Sequence, residues 1–188
     1  LASVLEAGRS AVAASGVAID AVALANQGET VLAWDPATGG PLSPAIVWQD
    51  SRAQEVCDEL ADHRGFVAAR TGLVLDPYFS APKMTWLRRH VTREGVVTTT
   101  DSWLLHRLTG EFVTDVTTAS RSLVMDLDAM RWDADLLDLF GLADERLPRI
   151  VACDEVIGST SAFGGDMPVT GLIVDQQALG GAVVARRR

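Results

Sequence analysis

The chain has 188 residues, of which 48% are hydrophobic and 22% are charged, and its formal net charge is −9. These values are ordinary for a globular domain that buries a core. Because basic residues cluster only at positions 186–188, we do not expect nucleic-acid binding. No apolar stretch reaches transmembrane length and no signal-peptide pattern opens the chain, so we expect no membrane association.

The cysteine and histidine spacing argues against a metal site. The two cysteines, Cys57 and Cys153, are far apart in the sequence, and the three histidines have no spacing typical of metal ligands. Unpaired thiols suit a reducing compartment, so we predict a cytoplasmic location.

The first predicted elements are a helix, a strand and a hairpin. Residues 2–15 are rich in alanine with apolar residues at helical spacing, and Gly16 is a typical helix stop. Residues 19–25 predict a strand buried on both faces. The strands predicted at 31–34 and 45–48 are joined by a segment rich in Asp, Pro and Gly, which is typical of a hairpin.

Two helices are predicted in the middle of the chain. Asp50 or Ser51 is the expected N-cap of the first, and Gly72 follows its end. The second helix spans residues 80–90, with Ser80 as its expected N-cap.

The segment around the second helix contains two residue types that occur once in the sequence. Tyr78 is the only tyrosine and Lys83 is the only lysine. A chain that otherwise uses arginine needs a compact ammonium on a flexible stem at this point. We predict structural ion pairs or cap contacts, rather than substrate contacts, for Lys83, Asp50 and Arg52.

The second half alternates helices with short strands. A helix is predicted at 100–108, a hydroxyl-rich segment at 114–121, a short helix at 136–140, and a buried strand at 169–174. Strands separated by helices, with a hairpin among them, indicate an α/β fold. The pattern does not determine the order of strands in the sheet.

Several motifs in this order resemble the FGGY carbohydrate kinases. The run from Tyr78 to His90 resembles the family signature of an aromatic residue, a serine, a lysine and Trp-Leu. The resemblance extends to about Ala178 and includes five further motifs. They are Asn26-Gln27-x-Glu29-Thr30, similar to the substrate loop of glycerol kinases; Trp48-Gln49-Asp50-x-Arg52; Asp101-Ser102-Trp103-Leu104; Thr114-Asp115 to Arg121; and Asp175-Gln176-Gln177-Ala178.

The resemblance implies a ribonuclease H-like, actin-like ATPase fold, with a mixed sheet flanked by helices. It implies that residues 1–188 are an incomplete N-terminal, sugar-binding domain, without the first phosphate-binding strand and without the C-terminal nucleotide domain. ATP and Mg²⁺ are therefore expected for the complete enzyme. We assign no cofactor-binding residue in this chain and expect the chain alone to be inactive.

Asp175 is the predicted catalytic residue. It follows a buried strand, at the end where open α/β sheets place their ligands, and its carboxylate can accept a hydroxyl proton. The alternative is a plain helix N-cap. Gln176 either binds substrate or holds Asp175. The family usually has glycine before this aspartate, and this chain has Val174.

Gln27, Gly28 and Glu29 are predicted to contact the substrate. A carboxylate can accept hydrogen bonds from two vicinal hydroxyls, although Glu29 also fits a solvated loop acid. Glycerol kinases have arginine where this chain has Gly28. The glycine is expected to widen the pocket, to leave Glu29 without a neighbouring cation, and to favour a substrate larger than glycerol.

Trp48 and Tyr78 are the predicted aromatic contacts. Trp48 offers an apolar face to sugar C–H groups, with hairpin core as the alternative. Tyr78 offers a hydroxyl beside an aromatic face, with a half-buried turn residue as the alternative.

The predicted function is ATP-dependent phosphorylation of a sugar or polyol hydroxyl. The alternatives are a catalytically idle sugar-binding or regulatory module on the same fold, a purely structural α/β domain, and a true glycerol kinase. The expected partners are the small-molecule sugar or polyol and ATP. The sequence does not determine whether the protein forms a homo-oligomer.

Overall fold

The computed structural model describes residues 1–180 and contains α-helices and short strands in alternation. The α-helices are α1 (Ala2–Ser15), α2 (Gln54–Glu59), α3 (Arg64–Thr71), α4 (Ser80–His90), α5 (Thr100–Thr109), α6 (Val116–Ala119), α7 (Ala134–Leu139) and α8 (Asp175–Gly180). A 3₁₀ helix, Ala61–His63, joins α2 to α3. None of the helices in residues 1–180 is long and apolar enough to cross a membrane.

The strands form several small sheets. They are β1 (Val22–Asn26), β2 (Val31–Asp35), β3 (Gly40–Pro41), β4 (Val96–Thr99), β5 (Val113–Asp115), β6 (Met125–Asp126), β7 (Arg131–Trp132), β8 (Arg149–Val151), β9 (Gly158–Thr160) and β10 (Met167–Val174). The strand orders are β1-β10-β9, β3-β2-β4, β5-β8 and β6-β7. The first sheet is mixed, because β10 runs parallel to β1 and antiparallel to β9.

Strand β2 is buried on both faces and separates two parts of the core. Side chains alternate between the faces of a strand. Val31 and Ala33 pack in the main apolar cluster, where α4 contributes Met84 and Leu87. Leu32 and Trp34 lie in a second cluster with Val96, Trp103 and Phe112. The alternating pattern thus fixes α4 against one face of β2, and α4 begins beside the Tyr78 turn.

Helix α5 covers the other sheets through a third apolar cluster. Leu105 of α5 packs with Val113 of β5, Val151 of β8, and Val169 and Leu172 of β10. Burying these side chains stabilises the fold by roughly 1.5–3 kcal/mol for each large aliphatic group. The cluster holds β10 in place, so the chain leaves the sheet at a defined point after Val174.

Most predicted elements are present. Helix α1 ends at Gly16, which has a φ of 66°, and α3 and α5 likewise end before the left-handed Gly72 and Gly110. These conformations suit glycine because it has no Cβ to clash. Helix α4 has the predicted bounds. The α/β class is confirmed, with small sheets in place of one larger sheet.

Two strand predictions are wrong in part. Strand β1 begins at Val22 and is only half-buried, because its one strand partner in residues 1–180 is β10. Ile46 forms an isolated bridge to Val31 in place of a strand at 45–48, since the chain turns again at Trp48. The hairpin itself is present, between β2 and β3.

The predicted N-caps are also wrong. Helix α2 begins at Gln54, and Asp50 instead accepts a hydrogen bond from the backbone N–H of Arg52 at 2.9 Å. Helix α4 begins at Ser80 itself, with Phe79 as its N-cap. Small polar residues form such local turns as readily as caps, so their type alone did not locate the helix start.

Candidate active site

The parallel pairing of β1 with β10 brings two of the predicted motifs to one sheet edge. Asn26, the last residue of β1, pairs with Val174, the last residue of β10. The loop containing Glu29 and the segment beginning at Asp175 therefore leave the sheet side by side. Carboxyl ends of parallel strands are where open α/β sheets bind ligands.

Glu29 is a buried carboxylate in a conformation that is unusual for its residue type. Only 2% of its surface is exposed, and its φ is 57°, in the left-handed region. Such a conformation costs a non-glycine residue of the order of 1–3 kcal/mol, and it is concentrated at functional sites. The alternative reading of Glu29 as a solvated loop acid is therefore wrong.

Arg121 is the cation that pairs with Glu29. Its Nε donates a hydrogen bond to Glu29 Oε1, and it lies in the turn after α6. Sequence reasoning expected no cation beside Glu29, because position 28 is glycine. That expectation is wrong, since the cation comes from a distant part of the chain.

Burial and three ionisable neighbours set the pKa of Glu29. Burial raises the pKa of Glu29 above its ordinary value, and the nearby Asp175 carboxylate raises it further. The hydrogen bond and positive charge of Arg121 lower the pKa, and so does the positive charge of Lys83. Burial is the largest of these effects. Burial thus opposes the negative charge of Glu29, and Arg121 and Lys83 favour it.

The ring of Tyr78 lies at the centre of the site. The centroid of the Trp48 ring is 5.4 Å from that of Tyr78, and the guanidinium carbon of Arg121 lies 5.5 Å from the Tyr78 ring centroid. Gln176 Nε2 donates a hydrogen bond to the Tyr78 hydroxyl at 3.3 Å. The predicted aromatic residues are therefore connected both to Glu29, through Arg121, and to the Asp175 segment.

Lys83 fixes the turn that carries Tyr78. Its side chain is completely buried, and its Nζ donates to the carbonyl oxygens of Pro77 at 2.9 Å, Phe79 at 2.7 Å and Tyr78. Burial lowers the pKa of Lys83 to about 8. The prediction of a structural role is supported, and these contacts explain why a flexible ammonium is needed here.

Asp175 and Gln176 lie exposed at the start of α8. Asp175 Oδ1 accepts from the backbone N–H of Gln176 at 2.9 Å. The preceding residue is anchored, because the Val174 N–H donates to Thr117 Oγ1 at 3.0 Å. The carboxylate of Asp175 is therefore accessible, while its backbone is held by the end of β10.

Gln27 and Gly28 shape the loop in a different way from that expected. Gln27 Oε1 accepts from the Thr30 hydroxyl at 2.8 Å within its own loop. A Cβ at Gly28 would lie 2.7 Å from Val174 Cγ2. We expected Gly28 to leave empty volume in the pocket. That expectation is wrong for the space that a Cβ would occupy, because the Val174 side chain fills it.

Trp48 and the Asp50–Arg52 pair form the rim of the site. A groove beside the rings is lined by Trp48, Gln49, Asp50, Ser51, Asp76, Pro77 and Tyr78. Arg52 binds Asp50 through both of its side-chain hydrogen bonds, Nε to Oδ1 at 2.9 Å and Nη2 to Oδ2 at 2.7 Å. Trp48 is half-buried, which leaves part of its ring accessible to a ligand.

The described residues contain no cluster that suits a metal ion. Within residues 1–180, no group of three or more His, Cys, Asp or Glu side chains has a metal-binding arrangement. We therefore assign no residue of this chain to Mg²⁺.

Comparison with known proteins identifies the family. Residues 1–179 match the N-terminal domain of the FGGY family of carbohydrate kinases. The chain belongs to this family. The glycerol kinase of Ectopseudomonas mendocina is 42% identical to this FGGY chain over 193 aligned positions, which include 94% of the chain. The alignment spans only 39% of that glycerol kinase, so the chain covers well under half of its relative's length.

Solved structures agree with this assignment. Plasmodium falciparum glycerol kinase, determined with ADP, matches 95% of this FGGY chain and 40% of its own length, with a TM-score of 0.88 and 30% identity. Gluconate kinase from Lactobacillus acidophilus matches 92% of the chain and 37% of its own length, with a TM-score of 0.82 and 22% identity. The second similarity concerns the fold alone. Together they confirm the predicted actin-like ATPase fold.

Proposed function

We propose that this chain forms the substrate-binding half of a carbohydrate kinase, which transfers a phosphoryl group from ATP to a hydroxyl of a small polyol or sugar. The observation that carries the proposal is the convergence of Glu29, Tyr78 and Asp175 at one edge of the β1–β10 pair. Because the relative cited above is a glycerol kinase, glycerol is the first substrate to test.

The side chains have complementary roles in binding. The Glu29 carboxylate, which forms an ion pair with Arg121, accepts hydrogen bonds from two vicinal hydroxyls. The Tyr78 hydroxyl adds a polar contact, and Gln176 orients it. The accessible face of Trp48 packs against C–H groups of the substrate. Together these contacts hold one hydroxyl beside Asp175.

Asp175 is the proposed general base. The reacting hydroxyl gives its proton to the Asp175 carboxylate as its oxygen bonds to the γ-phosphorus of ATP, and the bond from that phosphorus to ADP breaks. When bound, ATP would supply the phosphoryl group and Mg²⁺ would neutralise charge on its phosphates. The residues of this chain position the acceptor hydroxyl and take its proton.

Binding of the acceptor can be measured on this chain by titration calorimetry with glycerol, tetritols, pentitols and ketopentoses. We expect saturable binding of at least one of them at pH 7.5. Glu29→Gln should weaken it strongly, because glutamine replaces one acceptor oxygen by an NH2 donor and removes the charge. Asp154→Asn is the control, because Asp154 is an exposed acid outside the site. Absence of binding across the whole panel would refute the proposal.

The role of Asp175 can be measured in an active kinase that contains this chain. Asp175→Asn should lower kcat by about a hundredfold to ten-thousandfold, the usual contribution of a general base. Acceptor affinity should change far less, because asparagine keeps the shape of the side chain. A kcat within a few fold of wild type would mean that Asp175 has only a structural role.

A further inference from the structure

Arg121 contacts several parts of the candidate site at once. Its Nε donates to Glu29, and its guanidinium carbon lies 5.5 Å from the ring centroids of both Tyr78 and Phe79. Cations above aromatic faces are stabilised by the ring quadrupole, more strongly where water is excluded. Its side chain is only 20% exposed, so it is held between the Glu29 loop and the aromatic turn.

The neighbouring loop offers no substitute for Arg121. The nearest position in the sequence, Gly28, has no room for a side chain, since Val174 Cγ2 lies 2.7 Å from where its Cβ would be. The positive charge of Lys83 also lowers the pKa of Glu29, but its ammonium donates its hydrogen bonds to three backbone carbonyl oxygens. The direct ion pair of Glu29 in the described residues is therefore the one with Arg121.

We propose that Arg121 is a positioning residue of the substrate site, which holds the Glu29 carboxylate charged and fixed beside Tyr78. The proposal deepens the proposed function and rests on it for its consequence in acceptor binding. A buried carboxylate without a partner tends to take up a proton, and a neutral Glu29 accepts fewer hydroxyl hydrogen bonds. In this chain the substrate loop therefore depends on a residue more than ninety positions away, in the turn after α6.

The first test measures the titration of Glu29 directly. The side-chain carboxyl signal is followed by ¹³C NMR from pH 3 to pH 9 in wild type, Arg121→Gln and Arg121→Lys, and is assigned with Glu29→Gln. The charged groups facing Glu29 are Arg121, Lys83 and Asp175. Without Arg121, burial and Asp175 still raise the pKa of Glu29, and of the two cations only Lys83 still lowers it. The Glu29 pKa should rise by about one to three pH units in Arg121→Gln. Arg121→Lys should restore most of the difference.

A matched control and a second measurement keep the test decisive. Arg89→Gln removes a cation whose pair with Glu59 is largely exposed and lies outside the site, and it should leave the Glu29 titration unchanged. If Arg121→Gln does not fold, the Nε–H signal of Arg121 in wild type is followed instead. That signal should shift at the pH where Glu29 is protonated. A Glu29 titration that is the same with and without Arg121, or an Nε–H signal that does not follow Glu29, would overturn the proposal.

Glycerol affinity measured against pH completes the experiment. In wild type, binding should weaken as pH falls through the Glu29 pKa, and in Arg121→Gln this loss should begin at higher pH. The midpoint should move by the same amount as the NMR titration. A shifted titration with an unshifted binding midpoint would overturn the role in the substrate site. If wild type binds no polyol, the proposed function fails, and the NMR titration still decides whether Arg121 holds Glu29 charged.

Discussion

The contact between Gly28 and Val174 can be tested by a double-mutant cycle on stability. An ideal Cβ at Gly28 lies 2.7 Å from Val174 Cγ2, whereas carbon atoms pack best at about 3.5–4.0 Å. Gly28→Ala therefore places a methyl group about 1 Å too close to its neighbour. Val174 is fully buried and belongs to the β10 ladder, so neither partner moves freely. Overpacking of this kind costs about 1–3 kcal/mol.

The partner substitution removes the obstacle. Val174→Ala deletes two methyl groups, which costs roughly 1.6 kcal/mol from about 0.8 kcal/mol for each carbon group, plus a cavity term. In Gly28→Ala/Val174→Ala the new Cβ occupies part of the vacated space. The double variant should be more stable than the sum of the single changes predicts, by about 1–3 kcal/mol. Gly→Ala also stabilises the protein by about 0.4–1 kcal/mol, because it lowers the entropy of the unfolded chain, but this contribution cancels in the cycle.

Urea unfolding followed by circular dichroism gives the four free energies of unfolding. Gly65→Ala is the matched control, because no atom other than those of its chain neighbours and its own helix backbone lies within 4 Å of a Cβ at Gly65. Its effect on the free energy of unfolding should be additive with that of Val174→Ala. If the Gly28 and Val174 changes are also additive to within about 0.5 kcal/mol, the steric argument is refuted.

Two other predictions concern buried ionisable groups. Burial raises the pKa of Asp101 from 3.8 to about 6, so ionised Asp101 destabilises the fold increasingly as pH rises from about 4 through 6. The change in the free energy of unfolding caused by Asp101→Asn should therefore be about 3 kcal/mol more favourable at pH 7 than at pH 4. An equal change at both pH values would contradict this prediction. Lys83→Met should lower the free energy of unfolding by about 2 kcal/mol or more and weaken glycerol binding, because buried carbonyl oxygens of the Tyr78 turn lose their donor. Arg52→Gln, which breaks a partly exposed pair, should cost at most about 1 kcal/mol. A Lys83→Met variant at least as stable as wild type would mean that burying the ammonium costs more than its hydrogen bonds contribute.

Local signals located the ends of several helices better than their starts, and the helix predicted before Gly72 is divided into α2, a 3₁₀ helix and α3. Apolar residues at helical spacing followed by a left-handed glycine located the ends of α1, α3 and α5. Local signals predicted the strands less well. Residues 45–48 pair with β2 only at Ile46, because the chain turns again at Trp48, and local residue types do not show that turn. The half-burial of β1 depends on its neighbours in the sheet, which alternation of residue types cannot show.

Motifs pointed to most of the residues that meet at this sheet edge, and the fold supplied the contacts between them. Trp48 and Gln176 both contact Tyr78, and Arg121 connects Tyr78 to Glu29. Arg121 lies at the end of the hydroxyl-rich motif, but it was missed as a partner of Glu29, because the sequence does not show which residue it faces. The signal was indirect: a carboxylate predicted to bind hydroxyls at a sheet edge needs a cation, and the sequence does not say which one supplies it.

The energetics of the site bear on whether it has a function at all. Glu29 combines near-complete burial with a left-handed backbone, and its raised pKa shows that burial opposes its charge. Asn26, one turn of the loop away, keeps a buried Oδ1 without a hydrogen-bond partner in the described residues. A purely structural domain gains nothing from these costs, since glycine at position 29 would relieve the backbone and an apolar residue would remove the buried charge. Their presence at the edge where Asp175 is exposed favours ligand binding over a structural role.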